Sequence, residues 1–93
     1  MKTNALKRLH IKIKGKDHEE ASKRHVAKMA KTLNLKGYTQ HETGIVEVVA
    51  EGKKERLWEL VKSCTGIKVK TQIKEIIFYF KDWEGNFTSF ILI

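Results

Sequence analysis

Arg8-Leu9-His10-Ile11-Lys12-Ile13-Lys14 alternates polar and apolar side chains without a break. A period of two sets Leu9, Ile11 and Ile13 on one face of a strand and His10, Lys12 and Lys14 on the other. One face is therefore bound for a core, and the opposite face is basic. Residues 1–6, before this pattern, read as a short lead-in, which leaves 7–93 as a single domain.

After the strand the period changes. Ser22, Val26, Met29, Ala30 and Leu33 recur at spacings of three and four, which predicts a helix over residues 18–33 that Asn34 can end. Asp17 followed by Glu20 is a capping-box-like pair, so the helix is expected to begin near His18. Tyr38–Glu42 and Ile45–Glu51 flank Thr43-Gly44 as a hairpin. A second helix follows from Lys53 to Cys64, with Leu57, Leu60, Val61 and Cys64 as its apolar stripe and Gly66 as its stop. Residues 69–80 are strongly β-prone, and Glu84-Gly85-Asn86 turns the chain into a last short strand. The order strand, helix, strand, strand, helix, strand, strand defines an α+β fold. It is the ferredoxin-like βαββαβ sandwich: an antiparallel sheet, two helices on one face, and a short extra C-terminal strand.

Ninety-three residues support one modest core. No apolar run is long enough to cross a membrane, and the first residues lack a secretion signal, so a soluble, cytoplasmic protein is expected. Cys64 is the single cysteine, which rules out an internal disulfide, and its place on an apolar stripe predicts a buried, inert thiol. The formal charge of +8 is uneven: residues 1–36 hold eleven Lys or Arg against three acids, whereas residues 37–93 hold eight against eight. Such a field draws anions toward the first strand and helix, although a charge run is commonly just a solvated face.

The spacing of several motifs resembles the acylphosphatase family. Gly15-Lys16-Asp17-His18-Glu19-Glu20-Ala21-Ser22-Lys23 falls where that family carries Gly-x-Val-Gln-Gly-Val-Gly-Phe-Arg, and Ala30, Leu33, Leu35 and Gly37 follow in step. Gly37-Tyr38-Thr39-Gln40-His41 is similar to Gly-Trp-Val-x-Asn. Gly44-Ile45-Val46-Glu47-Val48-Val49-Ala50-Glu51-Gly52 is similar to Gly-x-Val-Glu-x-x-x-Glu-Gly, and Phe87-Thr88-Ser89-Phe90 to a Phe-x-x-Phe ending. The resemblance implies the same ferredoxin-like fold. It also implies hydrolysis of a carboxyl phosphate without metal or cofactor, in which loop amides and an arginine hold the phosphate and an asparagine orients the attacking water.

On that resemblance the catalytic positions are Lys23, in place of the arginine, and His41, in place of the asparagine. Lys16, Lys23 and Arg24 are the phosphate-binding candidates. Lysine keeps the charge of arginine without its planar fork. Glu19 and Ala21 replace the two inner glycines of the loop, and Asp17, Glu19 and Glu20 bring carboxylates to the positive end of the first helix, where a phosphate would sit.

Other chemistries are poorly supported. His18 and His25 lie two helical turns apart, roughly 10 Å along an axis, too far to share one metal ion. Cys64 and Ser22 sit on apolar stripes, which argues against a nucleophile. The segment Ile45–Glu51 has no aromatic platform, so nucleic acid is disfavoured as a partner of the open sheet face. Ile76–Phe80 sends bulky side chains to both faces and offers a surface for self-association, to which Trp58 and Trp83 are candidate contributors. Three functions are compatible with the residues. One is an acylphosphatase-like protein, catalytically impaired, that binds a small anion or acyl phosphate weakly at best. Another is a working acylphosphatase that uses Lys23 or Arg24 and His41. The third is a nucleic-acid or protein-binding module.

Overall fold

The computed structural model describes residues 5–68 and 73–93, with backbone alone at 67 and 68. The chain runs β1 (Leu6–Gly15), α1 (Glu19–Thr32), β2 (Lys36–Glu42), β3 (Ile45–Lys53), α2 (Lys54–Lys68), β4 (Ile73–Asp82) and β5 (Phe90–Leu92). The strands form one sheet in the order β4-β1-β3-β2-β5. This is the expected ferredoxin-like arrangement, and β1 sits near its centre because it pairs antiparallel with both β3 and β4.

The register carries the alternation of β1 across the whole sheet. Leu9, Ile11 and Ile13 lie opposite Ala50, Val48 and Val46, and all six are buried. They join Val26, Ala27 and Ala30 of α1 and Leu57, Leu60, Val61 and Cys64 of α2 in one core, so both helices cover the same face. His10, Lys12 and Lys14 point to the other face, where His10 stacks on Tyr79 with ring centroids 5.0 Å apart. On β4 the same alternation sends Phe78 and Phe80 to the helix side against Trp58, at 5.6 and 5.1 Å. Burial pushes the Cys64 thiol up to about 12, as expected of an inert core cysteine.

The ends of the elements differ from the sequence reading in instructive ways. The α1 C-terminus is a Schellman motif: Leu35 N–H donates to Ala30 O, Asn34 N–H to Lys31 O, and Asn34 takes a left-handed φ of 60°. Helix α2 does not stop at Gly66 but continues to Lys68. A helical glycine costs about 1 kcal/mol relative to alanine, which weakens a helix without terminating it. Of the β-prone stretch 69–80, residues 69–72 lie outside the described residues, and the strand begins at Ile73.

The sheet is mixed rather than wholly antiparallel, because β5 runs parallel to β2. The route explains the direction. β4 ends at the edge of the sheet where β1 and β2 begin, and residues 83–89 cross beneath β1 and β3 to reach the far side of β2. Glu51 holds that crossing. Its carboxylate accepts Glu84 N–H at 2.8 Å, Gly85 N–H at 3.1 Å and the Arg8 guanidinium at 2.9 Å. Burial would raise the Glu51 carboxyl, but these donors hold it below the ordinary range.

Gly37 makes the other end of the crossing fit. It donates its N–H to Ser89 O at 2.9 Å, and at its φ of 145° a Cβ would come within 1.9 Å of Val49 O. We expect Gly37→Ala to remove about 4 kcal/mol or more of stability, a large share of the total for a domain this small, as read by circular dichroism in a urea titration.

Candidate functional site

The β1–α1 loop faces the tip of the β2–β3 hairpin, and the main chain of a single residue, Gly44, joins them. Gly44 O accepts Gly15 N–H at 3.0 Å and lies 3.3 Å from His18 Nε2, while Gly44 N–H donates to the Glu19 carboxylate at 2.6 Å. Gly44 turns the hairpin with a φ of 77°. A carbonyl oxygen can only accept, so His18 Nε2–H is the donor to Gly44 O, while Nδ1 lies 2.9 Å from Ser22 Oγ. The His18 ring is 1 % exposed and fills the space beneath the loop.

This arrangement corrects the expected capping box. His18 is the N-cap of α1 and its side chain makes no capping hydrogen bond, while Asp17 takes a left-handed φ of 56° just before it. With its backbone turned that way, Asp17 sits outside the reciprocal geometry a capping box requires. Glu19 takes over the role of neutralising the helix end. Its carboxyl is held below the usual range, first by Gly44 N–H and then by its own amide, with smaller contributions from the His18 ring and the His18 amide.

The catalytic and phosphate-binding candidates differ in burial: Lys23 is buried, whereas Lys16, Arg24 and His41 are exposed. Lys23 is 5 % exposed and its ammonium donates to the Ile93 main-chain oxygen at 2.7 Å. Ile93 N–H in turn donates to Thr39 O, two residues from His41. Thr39 and His41 alternate with Tyr38 and Gln40, so they share the helix-facing side of β2, Thr39 buried and His41 exposed at the strand's end. Ile93 thus bridges the neighbourhoods of Lys23 and His41. Lys16 and Arg24 are exposed, and Arg24 is turned away from Lys23 by the helical step of about 100°. His10 lies on the opposite sheet face from His41, so these two histidines are not brought together.

Sequence reasoning missed His18 and Ile93 as groups that organise this end of the sheet, and it placed Glu19 at the helix end without its Gly44 partner. The His18–Ser22 spacing of four was a usable signal, since residues four apart on a helix are neighbours. No local pattern could pair Lys23 with a residue seventy positions away.

A family model for acylphosphatase matches residues 9–92, and this chain belongs to the acylphosphatase family. Its fold is similar to the crystal structure of acylphosphatase from Bacillus subtilis, with a TM-score of 0.81 and 19% identity over 95% of this chain and 98% of that one. The acylphosphatase from Coxiella burnetii is similar to the same degree, with a TM-score of 0.81 and 20% identity over 96% and 94% of the two chains. A full-length HypF solved in a phosphate- and nucleotide-bound form also resembles it, with a TM-score of 0.78 and 18% identity over 99% of this chain and 12% of that one. Among the described residues, no helix is long and apolar enough to cross a membrane.

The bonds at Gly44 should be measurable as stability. We expect His18→Ala to cost about 2–4 kcal/mol, through the space it vacates and the polar atoms it strands, in urea denaturation at neutral pH. Glu19 gives a pH signature. A carboxyl held below 4.5 in the folded state takes up its proton more readily when unfolded, so acid favours unfolding. The stability difference between the wild type and Glu19→Gln should be complete above pH 4.5 and should shrink as pH falls below it. A difference that stays constant down to pH 3 would show that Glu19 is not held as described.

Proposed function

We propose that this acylphosphatase-like protein is catalytically impaired and retains at most weak binding of a small anion or acyl phosphate. The observation that carries the proposal is the Lys23 ammonium, buried and donating to Ile93 O at 2.7 Å. Lys23 stands where the family resemblance expects the phosphate-gripping arginine, and its charge is already engaged. Glu19 supports the same reading, because a carboxylate at the first turn of α1 repels the dianion that a glycine-rich loop would welcome. His41 keeps an exposed ring at the position of the water-orienting asparagine, and Lys16 and Arg24 remain exposed cations for loose attraction of anions. A single buried thiol fits residence in a reducing compartment such as the cytoplasm.

The size of the expected loss follows from the number of altered groups. Removing one good donor to a developing negative charge costs about 100- to 1,000-fold, and here the arginine fork, the asparagine and the loop geometry all differ. We expect hydrolysis of acetyl or benzoyl phosphate to stay far below a turnover of about 10 per second. Turnover at or above that level, abolished by Lys23→Ala or His41→Ala, would overturn the reading. Lys23→Arg with His41→Asn should not restore activity by itself. Recovery is expected only when Glu19→Gly and Ala21→Gly are added, since these remove the carboxylate and free the loop backbone.

A further inference from the structure

The opposite end of the sheet holds a cleft of about 330 Å³ between the start of β2, the end of β3, the first turn of α2 and the 83–89 crossing. From Gly15 back to Leu6, β1 spans nine residue steps, so this cleft lies about 30 Å from the Gly44 junction. It is independent of the site considered above.

Its charge is its first distinguishing feature. Lys36, Lys53 and Arg56 line it, and among the described residues none of the three lies within ion-pair distance of a carboxylate. Arg56 makes one long bond, to Leu33 O at 3.4 Å. The one acid in the lining, Glu51, already accepts from Arg8 and from the Glu84 and Gly85 amides. Three cations therefore surround the space, while the single carboxylate of the lining, Glu51, shares the Arg8 guanidinium with the exposed Glu84, 3.4 Å from it. Gathering like charges without a counter-ion is unfavourable in the free protein and is relieved by a multiply charged anion.

The second feature is aromatic. The Trp83 indole is 48% exposed and lies against Gly85, whose φ of 74° and missing Cβ admit the ring: a Cβ there would come within 2.6 Å of it. Phe87 forms the neighbouring wall and is fixed from behind by the Arg8 guanidinium, 5.1 Å from its ring centre, and by the edge of Tyr38 at 5.9 Å. A preset aromatic wall beside three cations suits a ligand with a planar ring at one end and several negative charges at the other. The volume is at the small end of the range for small-molecule sites.

We propose that this cleft binds a nucleoside polyphosphate, its base against Trp83 and its phosphates among Lys36, Lys53 and Arg56. Trp83 provides the test. In a Trp58→Phe variant it is the sole indole, and its emission, excited at the red edge where nucleotides do not absorb, is followed during titration with ATP, tripolyphosphate or adenosine at moderate salt. Saturable quenching is expected with ATP, with tripolyphosphate and adenosine each at least about tenfold weaker, because each supplies one half of the recognition. Lys36→Gln with Lys53→Gln, both on exposed side chains, should weaken ATP about tenfold or more while leaving the circular dichroism spectrum unchanged. Trp83→Leu, followed by calorimetry, should weaken ATP but not tripolyphosphate. No saturation at millimolar ATP would overturn the proposal. So would tripolyphosphate binding as tightly as ATP, or an equal loss from Lys16→Gln with Arg24→Gln at the other end of the sheet, which would place the nucleotide there instead. That last outcome leaves the reading of impaired hydrolysis to be judged by its own assay.

Discussion

One residue, Gly44, fixes through its main-chain N–H and carbonyl the geometry at the end of the sheet where β1 passes into α1. Both of its polar atoms are engaged, the N–H by Glu19 and the carbonyl by Gly15 N–H and His18 Nε2. A hairpin tip and a strand-to-helix loop would otherwise be among the more mobile parts of a small domain. Here a buried imidazole, a carboxylate and a main-chain bond hold them together. Of the loop's own groups, Gly15 N–H and the His18 ring are spent on Gly44 O, and the Glu19 carboxylate on Gly44 N–H.

The far end of the sheet governs the same region at a distance. Glu51 anchors the 83–89 crossing, the crossing brings β5 alongside β2, and β5 carries Ile93 to the point where Lys23 can reach it. Lys23 is therefore buried as a result of topology. A lysine at this helix position with no fifth strand beside β2 would leave its ammonium in solvent. The parallel β5 is thus more than an edge cover, since Ile93, the residue that follows it, supplies the acceptor that makes a buried cation tolerable.

The parts of the fold written as local periodicity were legible in the sequence. The alternation of β1 predicts which side chains enter the core, and the Leu57, Leu60, Val61, Cys64 stripe predicts the buried face of α2; both sets are buried. Asn34 ends α1 as its tolerance of left-handed backbone suggests. What local patterns could not give was set by partners far along the chain. The parallel direction of β5 depends on where the crossing is tied down, and the role of Glu19 depends on an amide twenty-five residues away. The capping-box pair Asp17 and Glu20 looked sufficient locally, yet the left-handed backbone at Asp17 places the helix start under the control of Gly44 instead.

The charge distribution shows the same separation between chain order and space. Residues 1–36 carry the whole formal excess, which suggests a positive field around the first strand and helix. Folding disperses much of it. Lys12 and Lys14 stand on the open face opposite Glu47 and Glu75, Arg8 is committed to Glu51, and Lys23 is turned inward onto Ile93. Lys36, the last cation of that segment, instead meets Lys53 and Arg56 from the electrically balanced part of the chain. Chain order alone thus does not place the positive charge: Lys16, Arg24, Lys28 and Lys31 stay exposed at the loop and along α1, while Lys36, Lys53 and Arg56 meet around one cleft because the fold brings distant segments together there.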